Sequence, residues 1–275
     1  MATVIAQPPD TALDSAKERV GRLSTLPALD PRLLAVLAEA DVDVQYRHLR
    51  ELLRVDPALA ARVLKVANSA FYGSRSIGSI DRALTVLGAM AVAGIAMAAR
   101  FDSGCGIVEG EFRLLRRHSL MTAVAARALA ARTALSGWDP ESAFLLGLLH
   151  DLGWLVQLQL QRDRGLRRNE PVQTADLAEH ALLSAALLAR WQLPPQFIDA
   201  VRDHHDLCAG PVSTGAALLA VAEQCAAHGG DQFGKDRRPQ DSQLPLALFH
   251  LAATELADLG VQVAAEAAVI DGLVN

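Results

Sequence analysis

Leu145-Leu-Gly-Leu-Leu-His-Asp-Leu-Gly-Trp154 is apolar on every side except at His150 and Asp151. A helix without a polar face is buried all round. A carboxylate carried into such a place is costly unless it meets a metal, another cation or several hydrogen-bond donors. Asp151 therefore needs partners from elsewhere in the chain. Reading outward, His118 lies in the helical stretch Glu111 to Ala134. At about 100° per residue, Leu114, His118, Met121, Ala125 and Leu129 share one face, while Arg113, Arg116, Arg117 and Arg127 share another. His118 thus turns toward the core. His180 sits within Ala178-Glu-His-Ala-Leu-Leu, His204-His205 closes the following segment, and Glu223 shares a stripe with Ala216, Leu219, Ala220 and Ala227. One core histidine is ordinarily a satisfied packing residue. Imidazoles and carboxylates from several facing helices are how helical bundles build metal sites. The mixture suits Fe, Mn, Ni or Zn.

The surrounding chain reads as helix throughout. Apolar residues make up 51% and aromatics only 4%, with Ala and Leu, the strongest helix formers, in place of the β-branched and aromatic residues that strands favour. Asp30-Pro31, Asp56-Pro57 and Asp139-Pro140 each set a capping carboxylate before a proline at the first helical position. They open segments predicted over Pro31 to Glu39, Pro57 to Asn68 and Pro140 to Leu160. Further helices are predicted at Ala12–Leu23, Gln45–Arg54, Asp81–Arg100, Thr174–Trp191, Pro195–His205, Ser213–His228 and Pro245–Leu259. The expected architecture is all-α: a disordered start over residues 1–10, an amino-terminal lobe over 11–100, a second bundle over 101–228, and a loop with a helical tail over 229–275.

Charge and cysteine usage exclude some roles. A net charge of −5 with pI about 5.9 argues against nucleic acid, which calls for a basic surface. Cys105, Cys208 and Cys225 are odd in number and scattered, which suits a reducing cytoplasm. Met1 to Asp10 lacks the basic and apolar regions of a signal peptide. Ala83 to Ala99 carries no charge but is dominated by Ala and Gly, so it reads as a wrapped core helix and not a membrane span. Asn68-Ser-Ala-Phe-Tyr-Gly73 reads as a helix end, with Asn68 offering side-chain bonds and Phe71 and Tyr72 anchoring the turn. Asn68, Phe71 and Tyr72 are also the candidates for a partner surface.

The ordered set His118, His150-Asp151, His180, His204-His205 and a later acid resembles the HD superfamily of metal-dependent phosphohydrolases, HD-GYP phosphodiesterases among them. Asn68 to Gly73, Arg117-His-Ser-Leu120, Leu146 to Gly153 and Arg190-Trp-Gln-Leu-Pro194 narrow the likeness to HDOD domains, their mostly non-catalytic relatives. That resemblance spans about Leu23 to Ala227. It implies that His118, His150, Asp151, His180, His204 and His205 align with ligands of a two-metal centre, with Glu223 where the enzymes carry their last aspartate. It also marks departures. Leu114 stands where HD-GYP enzymes have a glutamate, Trp154 stands where they have a lysine, and Asp-Leu-Cys-Ala-Gly-Pro after His205 replaces their G-Y-P loop. The resemblance implies an output or adaptor module of bacterial signalling, near cyclic-di-GMP pathways, working through protein partners. The alternative expectation is a metal-dependent phosphohydrolase acting on a cyclic dinucleotide or nucleotide.

Overall fold

Capping carboxylates set the helix starts. In a computed structural model, Asp56 Oδ1 accepts from Leu59 N–H at 3.0 Å, and Asp139 Oδ1 accepts from Glu141 and Ser142 N–H at 3.0 and 3.1 Å. Each cap of this kind is worth about 1 kcal/mol. The structure describes residues 9–23, 31–39, 41–68, 77–101, 109–133, 135–163, 175–207, 212–231, 233, 245–252 and 254–274. Asp30 lies outside them.

The helices are α1 (Pro9–Gly21), α2 (Pro31–Ala38), α3 (Val42–Val55), α4 (Pro57–Ala67), α5 (Ile80–Leu87), α6 (Ala89–Phe101), α7 (Glu109–Arg132), α8 (Pro140–Leu149), α9 (Gly153–Asp163), α10 (Ala175–Arg190), α11 (Pro195–Asp203), α12 (Thr214–His228) and α13 (Glu255–Val274). No strand occurs among the described residues. Helices α2 to α6 pack on one another, and α7 to α12 form a second bundle around the α7–α8 contact. α6 lies on α8 and joins the two groups, while α13 runs along α7 and α12 and reaches α4. α1 lies against α10 in the second bundle, where Arg19 pairs with Glu179 and Arg190 donates to Val20 O at 2.9 Å.

Three predicted elements are corrected. The helix expected over Asp81 to Arg100 is two helices, α5 and α6, bent by 104° at Gly88, whose φ of 78° is a conformation that favours glycine. The helix expected over Pro140 to Leu160 ends at Leu149 and restarts at Gly153. The helix expected over Pro245 to Leu259 is a 3₁₀ turn, Leu246–Phe249, followed by the longer α13. Among the described residues no single helix is long and apolar enough to cross a membrane. The uncharged stretch predicted as a core helix buries Ala83, Leu84, Leu87, Ala91, Val92, Ala93 and Ala96.

Candidate metal centre

The break between α8 and α9 builds the site. Gly153 packs so close to α10 that a Cβ there would lie 1.9 Å from His180 O, and its N–H donates to Ser184 Oγ at 2.7 Å. The non-helical turn before it delivers His150 and Asp151 into the space between α7, α10, α11 and α12. α7 supplies His118, α10 supplies His180, the turn after α11 supplies His204 and His205, and α12 supplies Glu223. All are buried except His205, which is partly covered.

Asp151 is the hub. Its Oδ2 lies 3.2 Å from His118 Nε2, and its Oδ1 lies 3.0 Å from His180 Nε2 and 3.5 Å from His150 Nε2. Glu223 Oε1 lies 3.1 Å from His150 Nε2 and 3.5 Å from His204 Nε2. His118 Nε2 faces His150 Nε2 at 3.1 Å, and His205 Nε2 faces His180 Nε2 at 3.2 Å. Two groups result, Asp151 with His180, His204 and His205, and His118, His150, Asp151 and Glu223. Asp151 is common to both.

The ring nitrogens are already oriented. His150 Nδ1 faces Gly147 O at 2.7 Å, and His204 Nδ1 faces Val201 O at 2.6 Å. A carbonyl only accepts, so the proton sits on Nδ1 and the Nε2 lone pair points into the cluster. His118 Nδ1 likewise faces Asp231 Oδ2 at 2.7 Å. Two bare lone pairs at the His118–His150 separation repel unless a proton or a metal lies between them. His204 Nε2 is enclosed and makes no hydrogen bond. Donor separations near 3.1 Å match adjacent ligands of one ion at bond lengths of about 2.0–2.2 Å. The residues fit a divalent metal.

Electrostatics agree. Burial alone would push Asp151 up, but His150, His180 and His118 hold it well below the usual carboxylate range. Glu223 is likewise lowered, burial being outweighed by His205, His150 and His204. Burial lowers His204 well below its usual value, and adjacent His205 adds to this; burial also lowers His205. Burial works against protonated His118 too, yet Asp151 and Asp231 overcome it and raise the ring to about 10. With no metal bound, a proton on His118 relieves the lone-pair clash with His150.

An aromatic roof covers the cluster. The Trp154 indole stacks on the His180 ring at 4.7 Å between centroids and 16° between planes. The Phe233 ring lies 5.2 Å from His118 and meets Trp154 edge-on at 6.0 Å.

The family model described as HDOD domain matches residues 23–207, about two thirds of the chain. The chain belongs to the HDOD family. Solved structures share the HDOD architecture at low identity. One is an HDOD domain protein from Geobacter sulfurreducens, 23% identical, TM-score 0.65, covering 96% of this chain and 95% of that one. A candidate phosphohydrolase from Shewanella amazonensis SB2B is 24% identical, TM-score 0.63, covering 96% and 98%. A candidate signal transduction protein from Marinobacter aquaeolei VT8 is 20% identical, TM-score 0.66, covering 97% and 65%. A curated protein of Treponema pallidum (strain Nichols) is 28% identical over 218 residues, 73% of this chain but 42% of its own length; the chain thus spans less than half of that relative.

The HDOD match stops before α12, so Glu223 and Asp231 come from beyond it. Glu223 was legible on its stripe; Asp231 and Phe233 were not, because they fall in a segment read as a polar loop. The only signal was an acid directly after the Gly229-Gly230 helix end. On α7 the predicted faces need correction. Leu114 is 51% exposed and Leu115 takes the core position, while Arg127 is buried, its guanidinium 5.6 Å from the Phe144 ring and 3.6 Å from Glu266. Asn68 is exposed, and its amide is occupied with backbone: Nδ2–H groups donate to Leu64 O and Ile77 O at 2.8 Å each, and Oδ1 accepts from Ile77 N–H at 2.6 Å. Phe71 and Tyr72 lie outside the described residues.

Proposed function

We propose that this HDOD protein is a non-catalytic signalling adaptor whose histidine–carboxylate cluster is a structural centre, with divalent metal, Fe, Mn, Ni or Zn, in each of its two donor groups. The observation that carries this reading is the Trp154 indole lying flat on His180 over donors that are themselves buried. A hydrolytic centre keeps an open position for water and groups that grip the phosphate. Here the Trp154 ring stands where HD-GYP enzymes carry a lysine, and Leu114, where those enzymes carry a glutamate, points to solvent. Metal at this place would fix the packing of α7, α10, α11 and α12, with output through protein partners in a bacterial pathway, including those linked to cyclic-di-GMP. The test is metal content after purification without chelator, together with turnover of cyclic di-GMP in the presence of Mn²⁺ or Fe²⁺. Bound metal and no turnover are expected.

A second reading has its own support. The two donor groups share Asp151, an arrangement suited to two ions acting on one phosphodiester. Turnover that vanishes on Asp151→Ala would establish the phosphohydrolase and remove the adaptor.

A further inference from the structure

We propose that Asp231 is the positioning residue for a divalent ion held by His118, His150, Asp151 and Glu223, acting through the His118 ring. This rests on the cluster taking metal, as argued above. Asp231 is buried at 3% exposure just past the end of α12. Its backbone N–H donates to Ala226 O at 3.0 Å, and its Oδ1 accepts from Phe233 N–H at 3.3 Å. The residue is thereby fixed in a turn, with Oδ2 directed at His118 Nδ1, 2.7 Å away.

The three oriented rings of the cluster differ in what holds them. His150 and His204 donate to carbonyls of their own local backbone, Gly147 O and Val201 O, which are neutral and set by helix geometry. His118 depends on a charged side chain from a different element, distant by 113 positions. A carboxylate on the far nitrogen of a ligating imidazole fixes its tautomer and makes the near nitrogen a stronger donor. The Phe233 ring packs on the same imidazole, so one short segment both orients and covers it. The group containing His180, His204 and His205 draws its His204 orientation from Val201 instead. Loss of Asp231 therefore weakens one ion and spares the other.

The experiment is Zn²⁺ binding in competition with a chromophoric chelator, for wild type, Asp231→Asn, Asp231→Ser and His118→Ala. Asparagine keeps both the turn and a neutral acceptor for His118. Serine keeps an acceptor for Phe233 N–H but is too short to reach His118. Wild type is expected to take two ions. Asp231→Ser should weaken one of them by about 10–100-fold and leave the other unchanged, Asp231→Asn should restore part of the loss, and His118→Ala should abolish the same ion. Nitrogen-15 spectra of the Zn²⁺-loaded protein should show a sharp His118 Nδ1–H signal in wild type, held by Asp231, and the same signal broadened by exchange with water in Asp231→Ser. Two ions bound normally by Asp231→Ser, or both ions weakened equally, overturn the proposal and leave the metal centre standing. A wild type that takes up no Zn²⁺ overturns the metal reading and this inference together.

Discussion

Asp151 faces His180 at 3.0 Å and His118 at 3.2 Å, so its removal takes a buried carboxylate away from both rings at once. Asp151→Ala should cost about 3–5 kcal/mol, the range for breaking a buried pair from one side, read as a fall in the urea midpoint. The same residues set the pH response of the metal-free protein. Asp151 and Glu223 have folded values below their unfolded ones, so the unfolded chain takes up more protons as pH falls through about 4, and stability is lost there. His204 and His205, lowered by burial, act in the same direction below about 6.5. His118 acts oppositely: its folded value of about 10 lies above the unfolded one, so its contribution is complete below about 6.5 and fades as pH rises through about 10. Urea midpoints of metal-stripped protein should therefore peak near pH 6.5 and fall on both sides. A flat alkaline side would show that His118 is not held by its two carboxylates. At this scale much was legible, since His150 and Asp151 are the only polar groups in an apolar run. Leu114 was misplaced because a residue one turn from a buried one is itself buried only if a neighbour covers that turn, and Leu114 is 51% exposed; Asp231 was missed because a lone acid after two glycines looks like any loop acid.

The helix starts were written in Asp-Pro pairs, but two interruptions were not. Gly88 interrupts a stretch apolar on both sides, as does the turn at residues 150–152, so no periodicity was broken for a reader to notice. What accompanies the second interruption is a contact in space, the approach of Gly153 to α10. Gly153→Ala places a methyl group 1.9 Å from His180 O, against backbone that has no flexible end to move. It should destabilise the protein by about 3 kcal/mol, the upper part of the usual overpacking range, and should weaken metal binding because His180 shifts with its carbonyl. Gly21→Ala, at the end of α1 with nothing within 4 Å of the added carbon, is the control and should cost nothing. Equal urea midpoints for the two variants would mean that α9 can retreat from α10.

Across the molecule, α6 on α8 and α13 along α7 and α12 with a reach to α4 join the two helical groups, and the histidine–carboxylate cluster lies in the second of them. A ligand bound only by the folded state stabilises all that unfolds with it, by about 2.7 kcal/mol at a hundredfold excess over Kd. Added Zn²⁺ should thus raise Tm in a single transition seen alike by far-ultraviolet and tryptophan signals. Two separate transitions, only one of them metal-sensitive, would show that the joining helices do not couple the groups. The all-α class and the second bundle could be foreseen from composition and from the spacing of histidines; the placement of α1 on α10 could not, because an amphipathic helix does not reveal which distant face it will cover.

That placement has a consequence for synthesis. Leu13, Ala16 and Val20 of α1 are buried against a helix whose Glu179 lies 160 positions later than Arg19. At about 5–20 residues per second, a ribosome makes the partner surface roughly 10–30 s after α1 itself. During that interval the nascent chain carries an amphipathic segment too short to hold a helix alone, whose apolar side neighbouring nascent chains or chaperones can cover. A finished α10 on one polypeptide is an equally good seat for the α1 of another, so crowded translation of one message favours exchange of this first helix between copies.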